Sequence, residues 1–370
     1  DSYHLMVVGR YFNDVDDFCN AEMVTRNFKD LTAKYRYNPV PLTDERGMKL
    51  FSNIESQHIY GGKSDEPLME HVNQWVYWCP VTYDEYMQNK SDERNQFKCL
   101  SYTCRDKDIY GVELPLGVNI LDCVDEGACS DEDLESNRTK GCFHGEKSIG
   151  SIVIPSSVSI IGEDCFSGCV SLSNVSIPST VTEMRSRCFC GCCSLDTLSI
   201  PSSVKEVGSM CFCSCSALSS ISFPNTTTNV GGFSCCYSLT SVTIPPAVSA
   251  LESWAFSECE SSSSISIPSS VTEIGQGCFS KCKSLGSIII PSSVSVIEED
   301  CFCECHDLAS VLIPPSVTEI CDYCFSECGA LSRITIPSSV TSLGKGCFKN
   351  CYSLCSISIP SSVPDRKSVV

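Results

Sequence analysis

The sequence has no long apolar run, little positive charge and few histidines, and each shortage excludes something. No stretch approaches the ~20 consecutive apolar residues that a membrane helix needs. Near the N-terminus only Leu5 to Gly9 is apolar, which is not a signal-peptide pattern. Lysine and arginine number 26 against 45 acidic residues, for a formal net charge of −19. Nucleic acids and anionic lipid surfaces attract clustered positive charge, so neither is the expected partner. The five histidines, His4, His58, His71, His144 and His306, sit in no catalytic phrase. There is no phosphate loop and no dinucleotide fingerprint. Serines are abundant only because a short phrase containing them recurs. No catalytic residue and no cofactor are therefore expected.

What the sequence has is repetition from Leu114 to Val363. An apolar residue followed by proline returns at Pro155, Pro178, Pro201, Pro224, Pro245, Pro268, Pro291, Pro314, Pro337 and Pro360. The interval is 23 residues throughout, except for 21 between Pro224 and Pro245. A fixed period of this length with leucine and isoleucine at set offsets is the mark of a leucine-rich-repeat solenoid. In one copy, Val175 and Ile177 alternate with Asn174 and Ser176, the period of a strand. Pro178 ends that strand because it has no N–H to donate. Val181, Met184, Cys188 and Phe189 then turn apolar atoms inward again. Cys188 and Cys192 are four apart, which a helical turn would place on one face. One coil buries too little to offset the entropy of ordering it, so the coils fold as a stack. The expected fold is an α/β repeat: a right-handed leucine-rich-repeat solenoid, one short strand per coil, with a small N-terminal helical cap.

The phrase S-L-x-S-I-x-I-P-S-S-V-x-x-I-G-x-x-C-F-x-x-C resembles the BspA-like class of leucine-rich repeats. In that class the position before phenylalanine is usually alanine; here it is mostly cysteine, as in Cys165-Phe166, Cys278-Phe279 and Cys347-Phe348. The resemblance implies a solenoid and a binding role. The class spans adhesins, surface antigens and intracellular binding proteins, so it implies no particular ligand.

Thirty cysteines raise the question of redox state. Seventeen fall in two repeat columns. The first holds Cys142, Cys165, Cys188, Cys211, Cys278, Cys301, Cys324 and Cys347. The second holds Cys169, Cys192, Cys215, Cys236, Cys259, Cys282, Cys305, Cys328 and Cys351. Gly232 and Ala255 replace cysteine in the first column, so that position asks for smallness. The columns read as packed free thiols, which implies a reducing compartment and a cytoplasmic protein. Disulfides, with glycans at the sequons of Asn89, Asn137, Asn174 and Asn225, would instead mean the cell surface. The dense stretches Cys188 to Cys193, Cys211 to Cys215 and Cys301 to His306 suggest zinc. Their outer cysteines belong to the packed columns, so no metal is expected there.

Residues 1–40 do not repeat and read as a helical cap. The run from Asp17 to Leu31 also resembles an F-box: Phe18, Val24, Phe28 and Leu31 match that family's apolar face in kind. The family's opening Leu-Pro is not present, and Phe28 stands where tryptophan is usual. The resemblance implies a Skp1-type adaptor of a ubiquitin ligase as partner; the residues alone fit a cap that seals the first coil. Residues 41–113 read as degenerate coils, with strands expected near Leu50 to Tyr60 and Phe97 to Tyr102. Trp75, Tyr77 and Trp78 suggest a helix packed between them. Residues 114–363 are the regular array, with an acidic insertion at about 122–138, and 364–370 form a tail.

The strand face of a solenoid is its usual binding surface. Two columns on this face are nearly all serine and threonine. Ile289 and Leu312 interrupt one of them in adjacent coils, and Arg333 follows in the next coil of the neighbouring column. Exposed apolar neighbours beside an arginine fit a protein interface. The expected function is noncatalytic protein-protein recognition by an intracellular adaptor; the alternative is a BspA-like surface antigen or adhesin.

Overall fold

The structure is a computed structural model that describes residues 35, 37–41, 51, 54–60, 72–77, 81–121 and 141–363. Phe18, Val24, Phe28 and Leu31, Trp78, the acidic insertion and the tail lie outside the described residues. The chain divides into two compact units.

The first unit reaches to Tyr102 and includes residues 117–120. Strands β1 (Ser56–Ile59) and β2 (Gln74–Tyr77) run parallel and in register, Ser56 opposite Gln74. β3 (Val81–Thr82) leads into helix α1 (Tyr83–Asn89). Thr82 caps that helix: its hydroxyl accepts from the Glu85 amide, and Glu85 accepts from the Thr82 amide. β4 (Asn95–Phe97) adds to β2, and β5 (Leu100–Tyr102) pairs with β3. The expected strands near residues 56 and 100 are present. The helix expected at Trp75 and Tyr77 is a strand instead. The pattern there is period two: Val76 is buried while Trp75 and Tyr77 are half-exposed and point the other way. Tyr77 stacks on Phe97 at 4.9 Å, and the Arg94 guanidinium covers the Trp75 ring at 4.0 Å. Cross-strand aromatic contacts of this kind favour the extended form.

The second unit opens with α2 (Cys104–Tyr110), capped by Thr103 and Asp106 and ended by Gly111 at φ 96°. The regular coils follow. Most carry short strands on two sides, where one strand was expected. Three-residue strands such as Asn174–Ser176, Thr197–Ser199 and Ser220–Ser222 form one set. Two-residue strands such as Glu183–Met184, Glu206–Val207 and Glu319–Ile320 form the other. All pair in parallel with the coil before or after, in strict register. The second set arises because Met184 and Val207 turn inward from extended backbone, with exposed Glu183 and Glu206 beside them.

The turn holding the two cysteine columns is not helical either. From Cys165 on, the residue before each column position takes a left-handed conformation; non-glycine examples run from Asp164 to Asn350 with φ of 52–62°. That conformation breaks a helix, yet both columns still face inward. Ten phenylalanines from Phe143 to Phe348 stack in one row through the interior, ring centres 5.2–6.2 Å apart. The 21-residue coil marks a break: the two-residue ladder stops at Asn229–Val230 and restarts at Ala250–Leu251. Glu252 bridges the fault, accepting from Ser209 at 2.8 Å and from Asn229 at 3.1 Å.

Candidate functional site

The three-residue strands alternate exposed, buried, exposed. Their centres, Val175, Leu198, Ile221, Ile288 and Val311, are core. The two flanking positions form the columns read from the sequence. Ile289 and Leu312 lie on the strands Ser287–Ile289 and Ser310–Leu312 and are direct register partners. They are 67% and 62% exposed. Neighbouring parallel strands stand ~4.8 Å apart, so the two side chains make one continuous apolar patch. Ser266, one coil earlier in their column, is exposed and bridges Thr243. Arg333 is exposed in the next coil, but residues 332–336 form no strand, so no ladder fixes its place against the pair.

Sequence reasoning missed one member of the column. Val153, paired with Ser176, is 75% exposed. It borders an open cleft that Val112, Leu114 and Ile149 also line. The signal was available, because Val153 holds the same repeat position as Ile289.

The turn side of the coils carries several ion pairs. Arg187 contacts Glu163 at 2.7 Å and Asp164 at 2.8 Å. Lys281 contacts Glu258 at 3.0 Å, and its ammonium holds that carboxyl below its usual range. Cys190 and Cys213 lie in adjacent coils, and the nearby Cys190 thiol shifts the Cys213 pKa downward. Burial pushes the inner thiols the other way: Cys169 and Cys282 rise to about 12. All nine second-column thiols donate to the carbonyl of the phenylalanine in the preceding coil, at 3.0–3.3 Å. In the first column, Cys142 and Cys165 meet at 3.3 Å and Cys188 and Cys211 at 3.1 Å, sulfur to sulfur.

Stacked parallel coils with an inward phenylalanine row and an exposed strand face define a leucine-rich-repeat solenoid. The chain belongs to the BspA type leucine-rich-repeat family, whose pattern matches in six copies over residues 137–261 and 272–368. No curated protein matches the sequence. Among solved structures, it is similar to a leucine-rich-repeat protein of T. pallidum at 25% identity, covering 51% of this chain and 78% of that one, with a TM-score of 0.40. A leucine-rich cell surface protein of Faecalibacterium prausnitzii is 23% identical over 81% of this chain and 86% of that one, with a TM-score of 0.39. A leucine-rich-repeat protein of Bacteroides ovatus is 22% identical over 68% and 83%, with a TM-score of 0.41. Among the described residues, no helix is long and apolar enough to cross a membrane.

Proposed function

We propose that this chain is a noncatalytic recognition protein that docks a protein partner on its strand face, centred on Ile289 and Leu312 with Arg333 at the rim. The observation that carries the reading is the register pairing of two exposed branched apolar residues within a hydroxyl-lined face. Serine and threonine contribute little burial, whereas a few apolar or arginine anchors supply most binding energy in protein interfaces. A photo-crosslinking residue at Ser310, on the strand of Leu312 and in the neighbouring column, tests it against the same residue at Ser199. The reading expects one protein captured from native lysate at position 310 and not at 199. Equal capture at both positions contradicts it.

The finer reading is an intracellular adaptor. Two features support a reducing compartment. The second-column thiols act as hydrogen-bond donors, which a disulfide would abolish, and the first column accepts Gly232 and Ala255. In this reading Phe18, Val24, Phe28 and Leu31 hold a Skp1-type adaptor. The full chain should then retain that purified adaptor, and Phe28→Ala should release it. No retention leaves residues 1–40 as a cap only.

A further inference from the structure

We propose that Glu304, His306 and Glu327 form a site for a divalent transition cation on the turn side of the array, independent of the strand-face reading. A carboxylate oxygen from each glutamate and an imidazole nitrogen lie within 4.8 Å of one another. Ligand atoms sharing one ion at ~2.0–2.2 Å stand ~3–4 Å apart. These chains are half-exposed to exposed, so rotamer changes of about an ångström close the site. Among the described residues this is the one such convergence of three ligating side chains.

The backbone holds the donors in place. Glu304 and Glu327 occupy the same repeat position in adjacent coils, both left-handed at φ 59° and 62°. The Glu304 amide donates to the Ser326 carbonyl at 2.8 Å and the Glu327 amide to the Lys349 carbonyl at 2.7 Å. The His306 carbonyl accepts from Ala330 at 2.9 Å. The next coil carries Gly329 at the position of His306, so no side chain from it covers the imidazole.

Charge points the same way. In the earlier coils of this column, Glu258 is neutralised by Lys281 at 3.0 Å. Among the described residues neither Glu304 nor Glu327 forms an ion pair; Lys281, one coil before Glu304, attracts it from farther off while paired to Glu258, and the two carboxylates repel each other. The donor set is one nitrogen and two oxygens, which suits Zn2+ or another first-row divalent ion more than a soft thiophilic one.

The test is a Co2+ titration of the full chain followed by absorption spectroscopy. The proposal expects about one equivalent to bind without a thiolate-to-cobalt charge-transfer band. His306→Ala and Glu327→Gln should each weaken that binding at least ~10-fold, while Glu319→Gln on the strand row leaves it unchanged. Parent-like affinity in either site variant, an equal loss in Glu319→Gln, a thiolate band at the first equivalent, or no saturable binding would each overturn it.

Discussion

At the scale of single residues, the two cysteine columns do different things. The first needs only a small side chain, and Ala255 fills it in one coil. The second holds cysteine in every coil where its thiol meets a phenylalanine carbonyl, which also accepts the local turn amide, as Phe256 does from Cys259 at 3.2 Å. A hydrogen bond of this kind adds roughly 0.5–1.5 kcal/mol net. Cys282→Ala should therefore lower unfolding free energy by about 1–2 kcal/mol, from the lost bond plus the space left behind. Cys278→Ala, in the tolerant column, should cost less than about 1 kcal/mol. Urea unfolding of the two variants compares them, and equal losses would refute the distinction. Smallness of the first column was legible in the sequence, because Gly232 and Ala255 show it. The donor role of the second was not, since no substitution there exposes what the thiol touches.

At the scale of the coil, the device that shapes the turn is a left-handed residue before each column position from Cys165 on. Glycine suits that conformation, but Asp164, Arg187, Met210, Trp254, Asp300 and Tyr323 also adopt it. The amides of all of these but Met210 are claimed by the next coil: Trp254 donates to the Gln276 carbonyl at 2.8 Å and Asp300 to that of Asp322 at 3.0 Å. Stacking thus overrides the local preference against left-handed backbone, which costs ~1–2 kcal/mol per residue. The sequence suggested a helical turn because Cys188 and Cys192 are four apart, and that spacing does not reveal a left-handed residue before the cysteine. The same reasoning applies to the second strand of each coil. Two residues are too few to show a period, and Glu183-Met184 reads as nothing in particular until Glu206-Val207 pairs with it. Met210 is exposed and left-handed, so Met210→Gly should raise unfolding free energy by roughly 0.5–1 kcal/mol. Gly277 is left-handed and lies under the Trp254 ring, which occupies the place a Cβ would take. Gly277→Ala should destabilise by about 2 kcal/mol or more, from the strained backbone and the displaced ring. Opposite signs in a denaturant series support this account of the turn; a stabilising Gly277→Ala would refute it.

At the scale of the whole molecule, the period and the proline marker made the solenoid legible before any coordinates, because every coil must repeat the same inward residues to share one core. The recognition face was legible only where it departs from that rule. Ile289 and Leu312 stand out against serine, whereas Val153 escaped notice at the start of the array. The redox state of the thiols tests the compartment. Alkylation of denatured, unreduced protein should label more than half of the 30 cysteines; a smaller number would move the protein to an oxidising environment. The central claim, that an apolar pair on the strand face is the docking site, is tested most directly by the affinity of Ile289→Ser/Leu312→Ser for the partner captured at position 310. Both changes restore the hydroxyl pattern of the other coils, so the array should keep its stability. The account predicts binding weakened by about 2 kcal/mol or more, roughly 30-fold. Wild-type affinity in a folded double variant would contradict it.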